Sequence, residues 1–378
     1  FSSNMDVFEY IAILVLVART THCGASAFDI RDGDGKAAGH QVHSAKADSC
    51  PDGESIAPCV CSYIVEGDGQ MDLDCSKISG EEQLGQVFEN LPPNTHFESF
   101  TLNSNHELKT LTSGVFQSTT FTKILMIFNS LEAVESGALD ASSETLTTLD
   151  LWGNSISSQT GFPFKDLPIF GSLEVLDLAD NAIPGWPEGI TSDTLTRLDL
   201  SGNPIFDLPQ GAFDGLSILQ YLILGDVNLT GIEPETFTSL GRLKALDLRL
   251  NDLTALPEDS LNFNSSYIEH IYVHHNKLKS IHPHAIASSD SVPDLHFEDN
   301  ELISLDEAVW RPWLQNGSRL TVNGNPLICD CGVAWLVLNR DLLEQVEEPV
   351  LCTSIGYDKD EKLPHFLHHL NPDKYENC

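Results

Sequence analysis

One nine-residue pattern returns ten times along this chain. It reads LTTLDLWGN ending at Asn154, LEVLDLADN at Asn181, LTRLDLSGN at Asn203, LKALDLRLN at Asn251 and IEHIYVHHN at Asn276. VPDLHFEDN ends at Asn300 and GSRLTVNGN at Asn325, while Phe97, Phe100, Leu102 and Asn105, then Phe121, Ile124, Met126 and Asn129, carry it earlier. LQYLILGDV departs by placing Val227 where the asparagine belongs. The copies are spaced 22 to 27 residues apart, usually 24 or 25. An apolar residue at every second position predicts a short strand with one buried face. A lone strand of this kind cannot hide that face, so neighbouring copies must stack and share one core. A second apolar set in each unit, such as Leu208, Phe213 and Leu216 or Ile232, Phe237 and Leu240, closes the core from the other side.

L-x-x-L-x-L-x-x-N at this period is the leucine-rich-repeat signature. The expected fold is an α/β solenoid, a right-handed horseshoe with one parallel concave sheet about 45 Å along the stack. The asparagine amide is expected to bond backbone groups in the turn that leaves the strand, and Val227 forces its own turn to be satisfied differently.

Both raw ends of such an array need caps. Of the nine cysteines, Cys23 falls in the expected signal peptide and eight sit four at each end, Cys50, Cys59, Cys61, Cys75 and Cys329, Cys331, Cys352, Cys378, with none between Cys75 and Cys329. Spacing leaves three pairings open within each group of four. The flanks resemble the cysteine-rich caps of extracellular leucine-rich-repeat proteins. That resemblance implies Cys50–Cys61, Cys59–Cys75, Cys329–Cys352 and Cys331–Cys378. The stretches IAPCVC…MDLDCS, GFPFKDLPIFGSLEVLDL, TSDTLTRLDLSGNP and DEAVWRPWLQNGSRL…GNPLICDCGVAWLVLN resemble, over roughly residues 50–378, a group of secreted arthropod proteins. The group is named for the non-catalytic, leucine-rich-repeat subunit of the Oplophorus-luciferin 2-monooxygenase. The resemblance implies association with a small luciferase subunit in that group.

Residues 11–18 (IAILVLVA) and Ala25-Ser26-Ala27 read as a signal peptide with translated leader over 1–27, although Asp6 and Glu9 make its first part atypical. The domain plan is then a flexible leader over 28–49, an N-terminal cap over 50–96, ten repeats over 97–328 and a C-terminal cap over 329–378. The apolar run is too short to span a bilayer. A formal net charge of −36 disfavours nucleic acid and anionic lipid and favours a basic partner. Asn228, Asn264 and Asn316 each begin a glycosylation sequon.

Outward residues of the strands are the candidate site. IEHIYVHHN places His270, Tyr272 and His274 on the concave face, with Asp294, His296 and Glu298 in the matching columns of the next repeat and Arg249 on the other side of His274. Tyr272 is expected to be exposed, so that Tyr272→Ala leaves melting nearly unchanged while Leu246→Ala costs about 2–5 kcal/mol. His274, His296 and Glu298 offer metal-ligand chemistry, but no tight spacing such as H-E-x-x-H accompanies them, and no metal or cofactor is assigned. The histidines beside carboxylates also fit a pH-dependent contact surface. Asp150, Asp177, Asp199 and Asp247 share one column, which reads as ordinary repeat sequence before it reads as a calcium or basic-partner site. Phe128, Trp152 and Tyr221 add aromatic contact area. RDGDGKAAG (residues 31–39) fails as a calcium loop because Lys36 occupies a ligand position. No G-x-S-x-G element occurs. The expected function is non-enzymatic recognition of a protein or glycan on the concave face. An accessory subunit of a secreted enzyme and a matrix component are the alternatives.

Overall fold

Alternation along each L-x-L run turns one set of side chains into the core, and twelve strands join in chain order into one sheet. The structure, a computed structural model, describes residues 49–64, 69–158, 160–288, 291–353 and 364–378. The expected signal peptide, nearly all of the leader and the residues 31–39 motif lie outside those residues. β1 (Val60–Tyr63) and β2 (Met71–Asp74) form an antiparallel hairpin in the N-terminal cap. The ten repeats supply β3 (His96–Thr101), β4 (Thr120–Leu125), β5 (Thr148–Asp150), β6 (Val175–Asp177), β7 (Arg197–Asp199), β8 (Tyr221–Ile223), β9 (Ala245–Asp247), β10 (His270–Tyr272), β11 (Asp294–His296) and β12 (Leu320–Thr321). Each is parallel to its predecessor, from β2–β3 through β11–β12. The sheet is therefore parallel except at its first hairpin, and small two-stranded pairs such as Ala255–Leu256 with Ser280–Ile281 lie on the return side.

The return segments close the core as their apolar spacing requires. Leu208, Phe213, Leu216, Ile232, Phe237 and Leu240 are all buried. Trp186, Phe213, Phe237 and Phe263 follow one another with ring centroids 4.8, 5.4 and 5.9 Å apart. Repeat nine departs from the pattern: Val292, in its first apolar slot, is 49% exposed. α1 (Glu81–Glu89) covers the first repeat with Leu84, Val87 and Phe88. α2 (Glu307–Gln315) starts on Asp306, whose side chain accepts from the Ala308 N–H, and buries Trp310 against Phe297 at 5.0 Å. All four disulfides pair as the resemblance implies, Cys50–Cys61, Cys59–Cys75, Cys329–Cys352 and Cys331–Cys378. In the C-terminal cap the Trp335 indole N–H donates to Leu305 O at 2.9 Å, and the Tyr375 hydroxyl donates to Cys329 O at 3.0 Å.

The asparagines link one repeat to the next. Asn276 Nδ2 donates to Leu248 O and Val273 O at 2.9 and 3.0 Å, and its Oδ1 accepts from Leu253 N at 3.0 Å. Asn154, Asn181, Asn203, Asn251, Asn300 and Asn325 repeat that geometry. At Val227 the side-chain acceptor is missing. Ile205 N, which an asparagine would receive, instead donates to Asn203 O at 2.9 Å, and Phe206 N donates to Val227 O at 2.9 Å with Phe206 at φ 68°.

The residue before each repeat asparagine, or before Val227, adopts a left-handed conformation in all ten repeats: Ser104, Phe128, Gly153, Asp180, Gly202, Asp226, Leu250, His275, Asp299 and Gly324. Its N–H continues the ladder to the next repeat, as Phe128 N to Trp152 O at 2.9 Å or Leu250 N to His274 O at 3.2 Å. A bulky side chain is strained there by about 1–2 kcal/mol. Leu250 is 53% exposed, so little packing offsets that strain. Leu250→Gly should therefore raise the thermal midpoint, by the equivalent of about 1 kcal/mol. A lower midpoint by calorimetry would mean the leucine makes a contact stronger than the strain.

Candidate functional site

Curvature decides which outward residues remain reachable. On the inside of a bend, side-chain tips converge, and the central column crowds most. Seven of its ten members, Asp150, Asp177, Asp199, Ile223, Asp247, Tyr272 and Thr321, are buried and Thr101, Leu125 and His296 are half-buried, as are Tyr221 and His270 beside it and Trp152, Arg249, His274 and Glu298 beyond it.

The histidine cluster takes the expected register, with His270 opposite Asp294 and Tyr272 opposite His296. Tyr272, however, is 1% exposed, which corrects the expectation of an open side chain. It points away from the leucine core, yet the His296 ring stacks on it at 4.4 Å and 11°, His270 lies at 5.7 Å and His274 meets it edge-on at 6.2 Å. Asp247 flanks it on the other strand. The cause is ring size: at a strand spacing of about 4.8 Å, aromatic neighbours close over the central column. His296 Nδ1 lies 3.2 Å from Thr321 Oγ1 and 3.6 Å from Glu298 Oε1, and His270 Nδ1 lies 3.9 Å from Asp294 Oδ2. Burial opposes the charge on Glu298, but hydrogen bonds from His296 and Thr321 outweigh it and hold its carboxyl below the usual range. Arg249 Nε pairs with Asp247 Oδ2, two residues before it, at 3.0 Å. Among the described residues no three His, Cys, Asp or Glu are grouped to hold a metal, so His274, His296 and Glu298 do not form the weak metal site considered from the sequence.

The aspartate column has a local task. Oδ1 of Asp150, Asp177, Asp199 and Asp247 accepts the N–H two residues on, from Trp152, Ala179, Ser201 and Arg249, at 3.0–3.1 Å. Asp177 stands between Asp150 and Asp199 in register. Burial, then the Asp199 and Asp150 charges, raise its pKa well above the usual carboxylate value. The folded chain thus binds this proton more tightly than the unfolded chain, so stability falls as pH rises from about 4 through the folded pKa. Asp177→Asn, which keeps the acceptor for Ala179 N, should be more stable than wild type at pH 7 and level with it at pH 3 in denaturant titrations. Equal curves at both pH values would show the row carries no such penalty.

A second cluster lies at repeats two to four. Phe128 is 50% exposed at φ 53°, and its ring lies 4.1 Å from the half-buried Trp152 ring. The Trp152 indole N–H donates to Asp180 Oδ2 at 2.7 Å. Gly153 makes room for this: a Cβ there would meet Phe128 Cδ1 at 2.6 Å. Sequence reasoning found Phe128 and Trp152 but missed Asp180 and Thr321. Asp180 sits 28 residues beyond Trp152, and no repeat-to-repeat spacing announces their contact. Tyr221 is half-buried in the first column between Arg197 and Ala245. The sequon residues Asn228, Asn264 and Asn316 are all exposed.

Repeats, ladders and caps together define a leucine-rich-repeat protein with disulfide-bonded ends, and a leucine-rich-repeat model matches residues 193–253. The chain belongs to the family of the Oplophorus-luciferin 2-monooxygenase non-catalytic subunit. It is 33% identical to that protein of Oplophorus gracilirostris over 350 residues, 91% of this chain and 93% of the relative. Fibromodulin of Bos taurus is 31% identical over 166 residues, 43% of this chain and 40% of the relative. Among solved structures, the chain from an octameric complex of latrophilin 3, Unc5D and the leucine-rich repeats of FLRT2 superposes with TM-score 0.61 at 22% identity, covering 77% of this chain and 86% of that one. That likeness concerns the fold. Like the relative it spans almost end to end, the chain is a non-catalytic leucine-rich-repeat protein. No helix among the described residues is long and apolar enough to cross a membrane.

Proposed function

We propose that the chain is a secreted recognition protein that binds a protein partner on the concave face of its sheet. The observation that carries this reading is the set of half-buried outward side chains, Trp152, Tyr221, Arg249, His270, His274, His296 and Glu298, held in fixed register on paired strands. Such a surface needs little ordering on binding, so weak contacts add up to useful affinity. A glycan is a second ligand class for the same face. Four disulfides support an oxidising compartment, and the exposed Asn228, Asn264 and Asn316 support glycosylation. The test is capture from the source animal's extracellular fluid by wild type and by an Arg249→Glu/His274→Asp variant with unchanged circular dichroism. A partner held by wild type and lost by the variant is the expected result; equal retention by both would overturn the concave assignment.

A more specific reading makes the chain the accessory subunit of a secreted, luciferase-like enzyme. Identity of 33% across 93% of the Oplophorus non-catalytic subunit favours it. A smaller catalytic chain should then co-purify in fixed stoichiometry, and its absence from the captured material would remove this reading while leaving the first.

A further inference from the structure

We propose that Phe128, Trp152 and Asp180 form a receptor for an arginine side chain of the protein partner. This rests on the reading that the sheet face binds a protein, and it assigns the place and the chemistry. Phe128 is half exposed at the left-handed position that every repeat shares, where a small residue would serve the turn, so its large apolar ring is not required by the fold. Phe128 is not merely displayed. Its ring packs on Trp152 at 4.1 Å, and the glycine of the next turn leaves the space it occupies. Two aromatic rings tilted by 54° make a corner with π-faces on its walls. At the rim, Asp180 anchors the indole N–H through Oδ2 and belongs to none of the ion pairs among the described residues.

The surrounding charge selects the sign of the ligand. Two carboxylates lie at the Trp152 residue itself, Asp150 accepting its backbone N–H at 3.1 Å and Asp180 its indole N–H at 2.7 Å. A guanidinium laid on the Trp152–Phe128 corner would meet aromatic faces and a carboxylate at once, the combination that suits arginine better than the compact ammonium of lysine. The protein's charge of −36 adds a long-range attraction of the same sign.

The test titrates the intact 15N-labelled chain with the blocked tripeptide Gly-Arg-Gly, following the Trp152 indole N–H resonance, with the lysine and citrulline tripeptides as controls. The arginine peptide is expected to shift that resonance saturably, the lysine peptide more weakly, and the uncharged citrulline peptide not at all. Asp180→Asn, which keeps the acceptor and removes the charge, and Phe128→Ser should each weaken the arginine response about fivefold, the size of an exposed cation–π or ion contact. Equal responses to arginine and citrulline, or an arginine response untouched by both substitutions, would overturn the proposal. Capture by the Arg249/His274 variant is read at another part of the sheet, so failure of the peptide titration and failure of the concave reading are separately visible.

Discussion

Tyr272→Ala is expected to destabilise the protein by about 3 kcal/mol, in the range of Leu246→Ala at about 2–5 kcal/mol. Leu246 belongs to the leucine core, whereas Tyr272 points out of it, yet both are fully buried. Removing the phenol ring takes away the stacking surface of His296 at 4.4 Å and the packing of His270 and His274, and leaves a hollow between Asp247 and His296. Water can enter such a hollow from the half-open columns on either side, which keeps the cost at the lower end of the range for aromatic truncation. Tyr272→Phe retains the ring and its stacking on His296, so it should cost well under half of the Tyr272→Ala loss. Denaturant midpoints at constant slope decide the matter. A loss below about 1 kcal/mol for Tyr272→Ala would show that the rings do not lock one another and that this part of the face is not preorganised.

Asn251→Ala is expected to cost at least about 3 kcal/mol, although it removes no apolar surface. Its Oδ1 accepts from Val227 N at 3.1 Å and Leu229 N at 2.9 Å, and its Nδ2 donates to Leu224 O at 2.8 Å and Leu248 O at 2.9 Å. The site is buried, so water does not replace these bonds. Each orphaned backbone group in such a place costs about 1–3 kcal/mol. Repeat six has no asparagine of its own, so Asn251 carries its turn alone. A cost of less than about 1 kcal/mol in the same titrations would mean the turn closes on itself without the amide.

The period-two alternation and the fixed distance between asparagines made the solenoid legible, because both are properties of one repeat and its neighbour. Register followed from the same spacing, which is why His270 stands opposite Asp294 and Tyr272 opposite His296. Exposure was less legible. Alternation tells which way Tyr272 points, but not that the His296 ring, 24 residues on, stacks over it. The cysteine pairs needed the likeness to known caps, since spacing alone allows three arrangements in each group. Asp180 was hidden because its partner Trp152 is reached across a repeat of irregular length, and Phe128 looked like one more outward residue because its packing on Trp152 beside Gly153 leaves no mark in the spacing.

The amide missing at Val227 has a mechanical consequence. Among the described residues every other joint between successive units is tied by an asparagine side chain reaching across, but the joint between units five and six has backbone hydrogen bonds and apolar contact without one, with Phe206 N donating to Val227 O and Ile205 N turned back on its own loop. In a one-dimensional array, opening begins at the poorest joint and spreads outward. Under heat or tension the molecule should part there first, into two blocks of five units, each still anchored by its own disulfide-bonded terminus.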